Sequence, residues 1–176
     1  FASRVLLVEG PGDAAAVRLL AERLGINLDA EDLAVVECGS KNAIPFVARV
    51  CRLLRIPVVV LHDLDIYPEE GDAEQQAKQR QRNREQAETN RKIVEAVGDL
   101  AAVFTLDPSL EGVLGIGRNA SDKPRRIVEA LDLLEPEQWP GPLREALAAL
   151  VDGRSADPDA GSRPEAGGGD QGNPPR

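Results

Sequence analysis

Three short acidic motifs stand directly after compact apolar runs of the chain. The motifs are Val-Glu9-Gly10-Pro-Gly-Asp13, His-Asp63-Leu-Asp65 and Ser-Leu-Glu111-Gly112. The apolar runs before them are typical of strands that are buried on both faces of a parallel sheet. In an open parallel sheet the carboxyl ends of the strands share one edge, and ligands bind in the crevice at that edge. The three motifs are therefore expected to meet at one site.

Five carboxylates would then lie close together, those of Glu9, Asp13, Asp63, Asp65 and Glu111. Like charges at short range repel and raise one another's pKa unless a cation lies between them. A ligand set made only of oxygens selects a hard ion such as Mg²⁺ or Mn²⁺. Two such ions about 3.5–4 Å apart could activate a water and stabilise the leaving oxygen of a phosphodiester. The motifs thus indicate a domain that transfers phosphoryl groups or cleaves phosphodiesters.

The acidic motifs differ in how specific they are. Asp63 and Asp65 carry the strongest signal, because alternate residues of an extended segment point the same way and can face one ion or a pair of ions. Glu9 and Asp13 have a second interpretation, since acidic residues in a first helical turn also cap the helix. Gly10 allows the backbone to approach a phosphate closely at the start of that helix.

Two further side chains have an ambiguous place in this site. Lys123 opens a predicted helix, where it could neutralise charge in a phosphoryl-transfer transition state or simply be a solvated loop lysine. His62 is the only histidine of the chain, and alternation along the strand points it away from the two aspartates, so we assign it no general-base role. One histidine and no Walker A phosphate loop exclude a Ser-His-Asp hydrolase and a P-loop ATPase for this segment.

Strand and helix predictions alternate along the chain, which favours an α/β fold with a mostly parallel sheet. Apolar periodicity and turn residues give four strands and four helices. The strands are predicted at 4–8, 33–37, 57–61 and 101–106, and the helices at 13–24, 42–54, 124–134 and 142–151. The polar stretch 68–90 has little to bury, which predicts a solvated helix or a mobile arm.

Length and composition predict one folded domain with appendages. A chain of 176 residues can bury one core. We assign residues 1–134 to the metal-dependent domain, 135–151 to a C-terminal helical extension, and 152–176 to a disordered tail rich in Gly, Pro and Asp. The chain begins with Phe1 and contains no Met, so we expect it to be the C-terminal piece of a longer protein.

Charge and cysteine content bear on the binding partners of the protein and on its cellular compartment. The formal net charge of −9 argues against a generally basic nucleic-acid-binding surface. No stretch approaches the roughly 18 apolar residues of a membrane span, and no signal peptide is evident. Cys38 and Cys51 lack the spacing of a zinc site, so buried, reduced thiols are expected. These features together predict a cytoplasmic protein without membrane contact.

The motif order resembles the Toprim domain that topoisomerases, primases, recombination-mediator proteins and several nucleases share. The resemblance covers about residues 5–131, and its hallmark motifs are those at Glu9 and at Asp63. Within that group the chain is most similar to OLD (overcoming lysogenization defect) family nucleases. The features that carry this closer resemblance are Arg55-Ile56-Pro57, Leu110-Glu111-Gly112 and Lys123-Pro124.

The resemblance implies a Rossmann-like Toprim fold and two-metal cleavage of DNA. It assigns the metal ions, Mg²⁺ or Mn²⁺, to Glu9, Asp13, Asp63, Asp65 and Glu111. It makes Lys123 the catalytic lysine that stabilises the transition state, acting with Glu9 and Asp63. It also suggests that backbone turns position phosphate or water, at Gly10, Gly39, Ser40 and Gly112.

The expected partners and one alternative activity follow from the same resemblance, and a second alternative comes from another class of protein. DNA is the expected substrate, and an ABC-type ATPase domain is expected upstream in the full-length chain, together with a homo-oligomer formed through the missing region. A different Toprim activity, either RNA processing or primer synthesis, stays open. A receiver-like phospho-signalling module also gathers aspartates and a lysine at strand ends. It requires the acidic pair after the first strand, whereas here the pair follows the third.

Overall fold

Four parallel strands form the sheet at the centre of the molecule. The structure, a computed structural model, describes residues 2–98, 102–117 and 120–153. The strands are β1 (Arg4–Val8), β2 (Leu33–Glu37), β3 (Val58–Asp63) and β4 (Ala102–Leu106). Their order in the sheet is β2-β1-β3-β4, and every pair of neighbours is parallel. The predicted α/β fold with a parallel sheet is confirmed, with β3 extending two residues beyond the prediction.

Six α-helices surround this sheet in the described part of the chain. They are α1 (Pro11–Arg23), α2 (Ile44–Leu53), α3 (Ala73–Val97), α4 (Leu110–Val113), α5 (Lys123–Asp132) and α6 (Gly141–Asp152). Two short 3-10 helices cover Lys41–Ala43 and Pro136–Gln138. Several of these helices begin with proline in the first turn, where its missing N–H costs little.

Helices cover both faces of the sheet. Leu6 and Val8 of β1 belong to the larger apolar cluster, which α1, α5 and α6 complete. Val5 and Leu7 point to the opposite face and belong to a smaller cluster with residues of α2 and α3. Because both faces are covered, consecutive residues of a central strand are all buried. This arrangement explains the unbroken apolar runs in the sequence.

Helix α6 belongs to the main core. Leu143, Leu147 and Leu150 are at most 1% exposed, and they lie in the larger cluster with β1 and β3 residues. Trp139, just before the helix, is also buried, and its Nε1–H donates to Leu134 O at 3.1 Å. The segment 135–151, predicted as an extension, therefore packs on one face of the sheet as part of the main core.

Helix α3 contains most of the polar stretch 68–90, for which the sequence predicts a solvated helix or a mobile arm. It runs for 25 residues from the side-chain cap that Asp72 provides to Gln75 N–H. Only its last turns reach the core, through Ile93, Ala96 and Val97. The solvated-helix alternative is thus the correct one, and it explains why this sequence carries so few apolar residues.

The structure also bears on the remaining predictions. No helix among the described residues is both long and apolar enough to cross a bilayer. Cys38 and Cys51 are free thiols, and Cys51 is buried while Cys38 is half-buried. Most of the predicted tail, from residue 154 onward, lies outside the described residues.

Candidate metal and phosphodiester site

The first two acidic motifs meet where β1 and β3 lie side by side. From β1 the chain crosses to β2 on one side, and β3 continues the sheet on the other side. Such a switch point leaves a crevice at the carboxyl ends of the strands. Here Glu9 Oε1 accepts a hydrogen bond from the backbone N–H of Asp63 at 3.0 Å. A single hydrogen bond therefore ties together two motifs that are 54 residues apart in the sequence.

The third motif joins the other two through Asp63. Asp63 Oδ1 accepts a hydrogen bond from the backbone N–H of Leu110 at 2.9 Å. Leu110 begins the short helix α4, and its neighbour Glu111 lies in the first turn of that helix. Because β3 and β4 are paired in the sheet, the turn after β4 is held beside the end of β3. Glu111 is thereby brought to the same edge as the aspartates.

A cavity of about 810 Å³ lies at this edge of the sheet. All five predicted carboxylates line the cavity, and Lys123 lines it as well. The predicted turn residues Gly10, Gly39 and Ser40 complete part of its wall. The predicted residues therefore share one cavity, whose wall also contains Tyr67, Arg82 and Ser109, which the sequence analysis did not name.

Gly112 is the exception among the predicted site residues. It does not line the cavity, and its N–H donates to Ser109 Oγ at 3.1 Å. A Cβ at this position would lie 3.0 Å from Pro108 Cγ. Gly112 therefore serves close packing and the start of α4, and its N–H is already used within the chain rather than offered to a phosphate.

Asp65 reaches the cavity by a different route from the one predicted. Strand β3 ends at Asp63, and Asp65 has a left-handed backbone conformation with φ of 58°. The expectation that both aspartates alternate along one extended segment is therefore wrong. Asp65 is instead held by its own N–H, which donates to Pro108 O at 2.8 Å, and its carboxylate is directed to a lysine.

That lysine, Lys41, is a site residue that the sequence analysis missed. It is only 7% exposed, and its Nζ donates to Asp65 Oδ2 at 3.1 Å and to Leu64 O at 3.2 Å. It directly follows the Gly39-Ser40 turn at the carboxyl end of β2. A lysine next to a turn at the ligand-binding edge of a sheet was the signal that could have identified it.

A second lysine, unlike Lys41, lines the cavity itself. Lys123 is the first residue of α5, and its Nζ lies 3.0 Å from Glu111 Oε1. Lys123 keeps 39% of its side-chain surface exposed, whereas Glu111 keeps 17%. The two lysines thus each pair with one carboxylate at the border of the acidic cluster, and Lys123 stays accessible from the cavity.

Comparison with known proteins agrees with the motif order. Residues 1–65 match the family model for the Overcoming lysogenization defect protein-like TOPRIM domain. Residues 1–65 thus carry the OLD-like Toprim pattern. The matched range contains Glu9, Asp13, Asp63 and Asp65, and ends before Glu111 and Lys123.

Relatives of this Toprim domain include the OLD nuclease of Thermus scotoductus, which is 47% identical over 152 residues. That alignment covers 85% of this chain but only 29% of the relative, so the chain spans less than a third of that protein. The C-terminal region of the Xanthomonas campestris pv. campestris OLD protein aligns with a TM-score of 0.48 and 22% identity over 87% of this chain and 96% of its own. The C-terminal region of the Burkholderia pseudomallei OLD protein aligns with a TM-score of 0.41 and 20% identity over 89% and 92%.

Burial raises the pKa of three carboxyl groups in the cavity, those of Asp63, Glu9 and Asp13. Desolvation by burial, reinforced by the charges of Asp13 and Glu9, raises the pKa of Asp63 from 3.8 to about 8. Burial likewise raises the pKa of Glu9 from 4.5 to about 7, against the opposing effect of its backbone hydrogen bond. It also raises the pKa of Asp13 from 3.8 to about 6. A bound cation would relieve this cost of keeping the groups charged.

The donor chemistry of the site suits a hard divalent ion. Glu9 and Asp63 each use one carboxylate oxygen to accept a backbone N–H, and the other oxygen accepts no hydrogen bond from the described residues and is not buried. Among residues 2–98, 102–117 and 120–153, however, no three acidic, histidine or cysteine side chains are close enough together to enclose an ion. Asp65 and Glu111 are paired with lysines instead. A full ligand set therefore requires side-chain rotation within the cavity.

His62 lies outside this ligand set, as the strand alternation predicted. Its side chain is 1% exposed, and it does not line the cavity. Its Nδ1 lies 2.8 Å from Asp63 O, while Nε2 has no hydrogen-bond partner among the described residues. Burial lowers the pKa of His62, so the neutral imidazole is favoured. The Toprim site thus contains no histidine.

Proposed function

We propose that this Toprim domain is a divalent-metal-dependent endonuclease that nicks and cleaves DNA. The observation that carries the proposal is the cavity in which carboxylates from three strand ends surround a space bordered by Lys123. The OLD nuclease name of the Thermus scotoductus relative supports the same reaction class. A cluster of carboxylates with one accessible lysine suits phosphodiester hydrolysis, because both the metal ions and the lysine offset charge on the phosphate.

Five carboxylates would hold the metal, and two ions, either Mg²⁺ or Mn²⁺, match this number of ligands. They are Glu9, Asp13, Asp63, Asp65 and Glu111. When bound, the ions would supply Lewis-acid activation of water and stabilisation of the leaving oxygen. Backbone hydrogen bonds fix one oxygen of Glu9 and one of Asp63. These two ligands are therefore oriented by the sheet before any ion binds.

The remaining roles fall to groups on the cavity wall. Lys123 would stabilise negative charge on the scissile phosphate, since its ammonium lies at the cavity border and 39% of its side-chain surface is exposed. Glu111 would orient Lys123 in addition to its part in metal binding. Gly39 and Ser40 would place backbone groups beside phosphate or water at the end of β2.

The test is nicking of supercoiled plasmid by the chain with Mg²⁺, Mn²⁺ or Ca²⁺, and with chelator. Asp63→Asn keeps an oxygen for the Leu110 N–H but removes the charge, and Lys123→Ala removes the cation. We expect each substitution to lower the nicking rate at least about 100-fold, with unchanged circular dichroism, and we expect chelator to abolish nicking.

Matched substitutions far from the cavity control for a general effect of charge. Asp29→Asn changes an exposed aspartate that does not line the cavity, and Lys92→Ala changes an exposed lysine on α3. Both should nick at the rate of the unmodified chain. Nicking by Asp63→Asn at that same rate would contradict the assignment of the cavity as the nuclease site, because it would show that the activity comes from another site or another protein.

Two parts of the proposal concern the substrate and the full-length protein. RNA processing and primer synthesis are the alternative Toprim activities, and faster cleavage of an RNA of the same sequence would favour the former over DNA cleavage. We also propose that an upstream ABC-type ATPase controls the domain and that the full-length protein is a homo-oligomer. An upstream gene sequence without ATPase motifs, or a monomer in light scattering, would contradict these two statements respectively.

A further inference from the structure

The N-terminal half of α3 forms an additional wall of the Toprim cavity. Arg82 of α3 lines the cavity, together with Tyr67 from the loop after β3. The same two residues also line a neighbouring cavity of about 450 Å³ on the α3 side. The wall of this neighbouring cavity further includes Glu70, Lys78 and Gln79. The two cavities therefore share a wall at Tyr67 and Arg82, and we refer to them together as the groove between α3 and the loop after β3.

Arg82 has no acidic partner among the described residues, whereas Lys78 and Arg80 on the same helix each have one. Lys78 pairs with Glu74 at 2.6 Å, and Arg80 pairs with Glu69 at 2.7 Å. Arg82 makes no ion pair or hydrogen bond with any residue in the described ranges. Its guanidinium is thus an uncompensated cation beside a strongly acidic site. A planar guanidinium in this state is suited to bind phosphate through two parallel hydrogen bonds.

The chain holds Arg82 in this place through its neighbour Asn83. The Asn83 amide donates to Tyr67 O at 2.8 Å and accepts from Tyr67 N–H at 3.2 Å. Gln79 Nε2 also donates to Asn83 Oδ1, at 2.8 Å. Farther along α3, Asn90 Nδ2 donates to Leu64 O at 3.0 Å. These bonds fasten α3 to the loop that carries Asp65, so they hold the backbone at Arg82 beside the cavity.

We propose that Arg82 binds a DNA backbone phosphate next to the scissile one, and that the strand leaves the site along the groove between α3 and the loop after β3. This inference rests on the proposed function and adds the path that the DNA strand follows away from the cavity. The acidic cavity repels a polyanion outside the metal site itself, so a strand needs a cation at the border. Arg82 is such a cation on the α3 side, as Lys123 is on the α5 side.

The test compares Arg82→Gln with Arg91→Gln in the 176-residue chain. Arg91 lies on the same helix, away from both cavities, and is paired with Glu88 and Glu95. Binding of a fluorescein-labelled DNA duplex is measured by anisotropy in Ca²⁺, with a gel to verify that the DNA stays intact, between about 50 and 200 mM salt. We expect Arg82→Gln to weaken binding about 10-fold and to reduce the slope of log affinity against log salt by about 1.

Two additional readouts separate phosphate binding from a structural role. Arg82→Gln should raise KM for plasmid nicking and leave kcat within about threefold, because the contact is made in both ground and transition states. Arg82→Lys should recover the salt slope while recovering only part of the affinity, since lysine keeps the charge without the planar fork. Arg91→Gln should match the unmodified chain in every measurement.

The outcomes distinguish this inference from the function on which it rests. A chain that nicks DNA normally while Arg82→Gln keeps the original affinity, salt slope and KM would overturn the role of Arg82 alone. An unmodified chain that neither binds nor nicks DNA with any of the three ions would overturn the proposed function, and the strand path with it.

Discussion

Individual charged residues in this Toprim domain are balanced by buried partners from distant parts of the chain. Asp63 and Glu9 accept backbone N–H groups, and Asp65 pairs with the buried Lys41. Each of these bonds offsets part of the cost of removing a carboxylate from water. The balance is incomplete, as the raised pKa values of Glu9 and Asp63 indicate. The site is therefore held in place by the fold while its charges still favour a cation.

Removal of Lys41 should reveal how much this balance contributes to stability. We expect Lys41→Met to lower the free energy of unfolding by about 1–3 kcal/mol, because Asp65 loses its partner in a largely buried pair. Leu64 O keeps its hydrogen bond from Asn90, which limits the loss. Urea denaturation at pH 7 in chelator measures the change, with Lys92→Met as an exposed control. Equal stability of the two variants would argue against a structural contribution from Lys41.

At the scale of elements, the site depends on how closely α1 and α5 approach. A Cβ on Gly12, in the first turn of α1, would lie 2.8 Å from Ile127 Cδ1 and 3.9 Å from Pro124 Cα. Ile127 is buried, and it lies one turn after Lys123 on α5. The absence of a side chain at Gly12 thus lets α5 bring Lys123 to the cavity that the α1 residues line.

This packing predicts a coupling between Gly12 and Ile127. Gly12→Ala should lower the free energy of unfolding by about 1–3 kcal/mol through overpacking. Ile127→Val removes the Cδ1 methyl group that a Cβ on Gly12 would meet. It should lower the free energy of unfolding by about 0.5–1.5 kcal/mol alone, and by less in the Gly12→Ala background. Urea denaturation of the four proteins in this double-mutant cycle gives the coupling energy. Strict additivity would show that the helices do not meet at this contact.

At the scale of the whole molecule, burial of several carboxylates makes stability depend on pH. A carboxyl whose pKa is raised on folding stabilises the fold most below its unfolded pKa, and this contribution is lost as pH rises through the folded pKa. The pKa of Glu9 is raised to about 7 and that of Asp63 to about 8. The lowered pKa of His62 acts in the opposite direction, but only up to its ordinary value of 6.5. Between about pH 6.5 and 8 the carboxyls alone therefore set the slope.

We expect the free energy of unfolding in chelator to fall as pH rises from about 6.5 to 8. Asp63→Asn removes the group with the highest of these pKa values, so it should flatten the curve and stabilise the fold at pH 8. Added Mn²⁺ should stabilise the unmodified chain more at pH 8 than at pH 6.5, because ion binding needs deprotonated carboxylates. Urea denaturation at several pH values measures all three. A stability that rises through this range in chelator would contradict the electrostatic description.

The local features of this Toprim domain could be predicted from the sequence because they depend on short-range patterns. The apolar runs of β1 to β4 and the order of the acidic motifs predicted the parallel sheet and the cavity at its carboxyl edge. The resemblance of these motifs to Toprim domains also agreed with the family match over residues 1–65. Backbone alternation correctly turned His62 away from the cavity. It failed for Asp65, because the strand ends before this residue and its φ is positive.

The contacts that complete the site were decided only by the tertiary structure. Lys41 and Asp65 are 24 residues apart, and Asp63 and Leu110 are 47 apart. No local pattern signals such pairs, because they depend on which strands become neighbours and how the helices pack on them. The same holds for Arg82, which the fastening of α3 to the loop after β3 brings to the cavity. The sequence by itself determined which groups could do the chemistry, and packing between distant elements determined which of them meet.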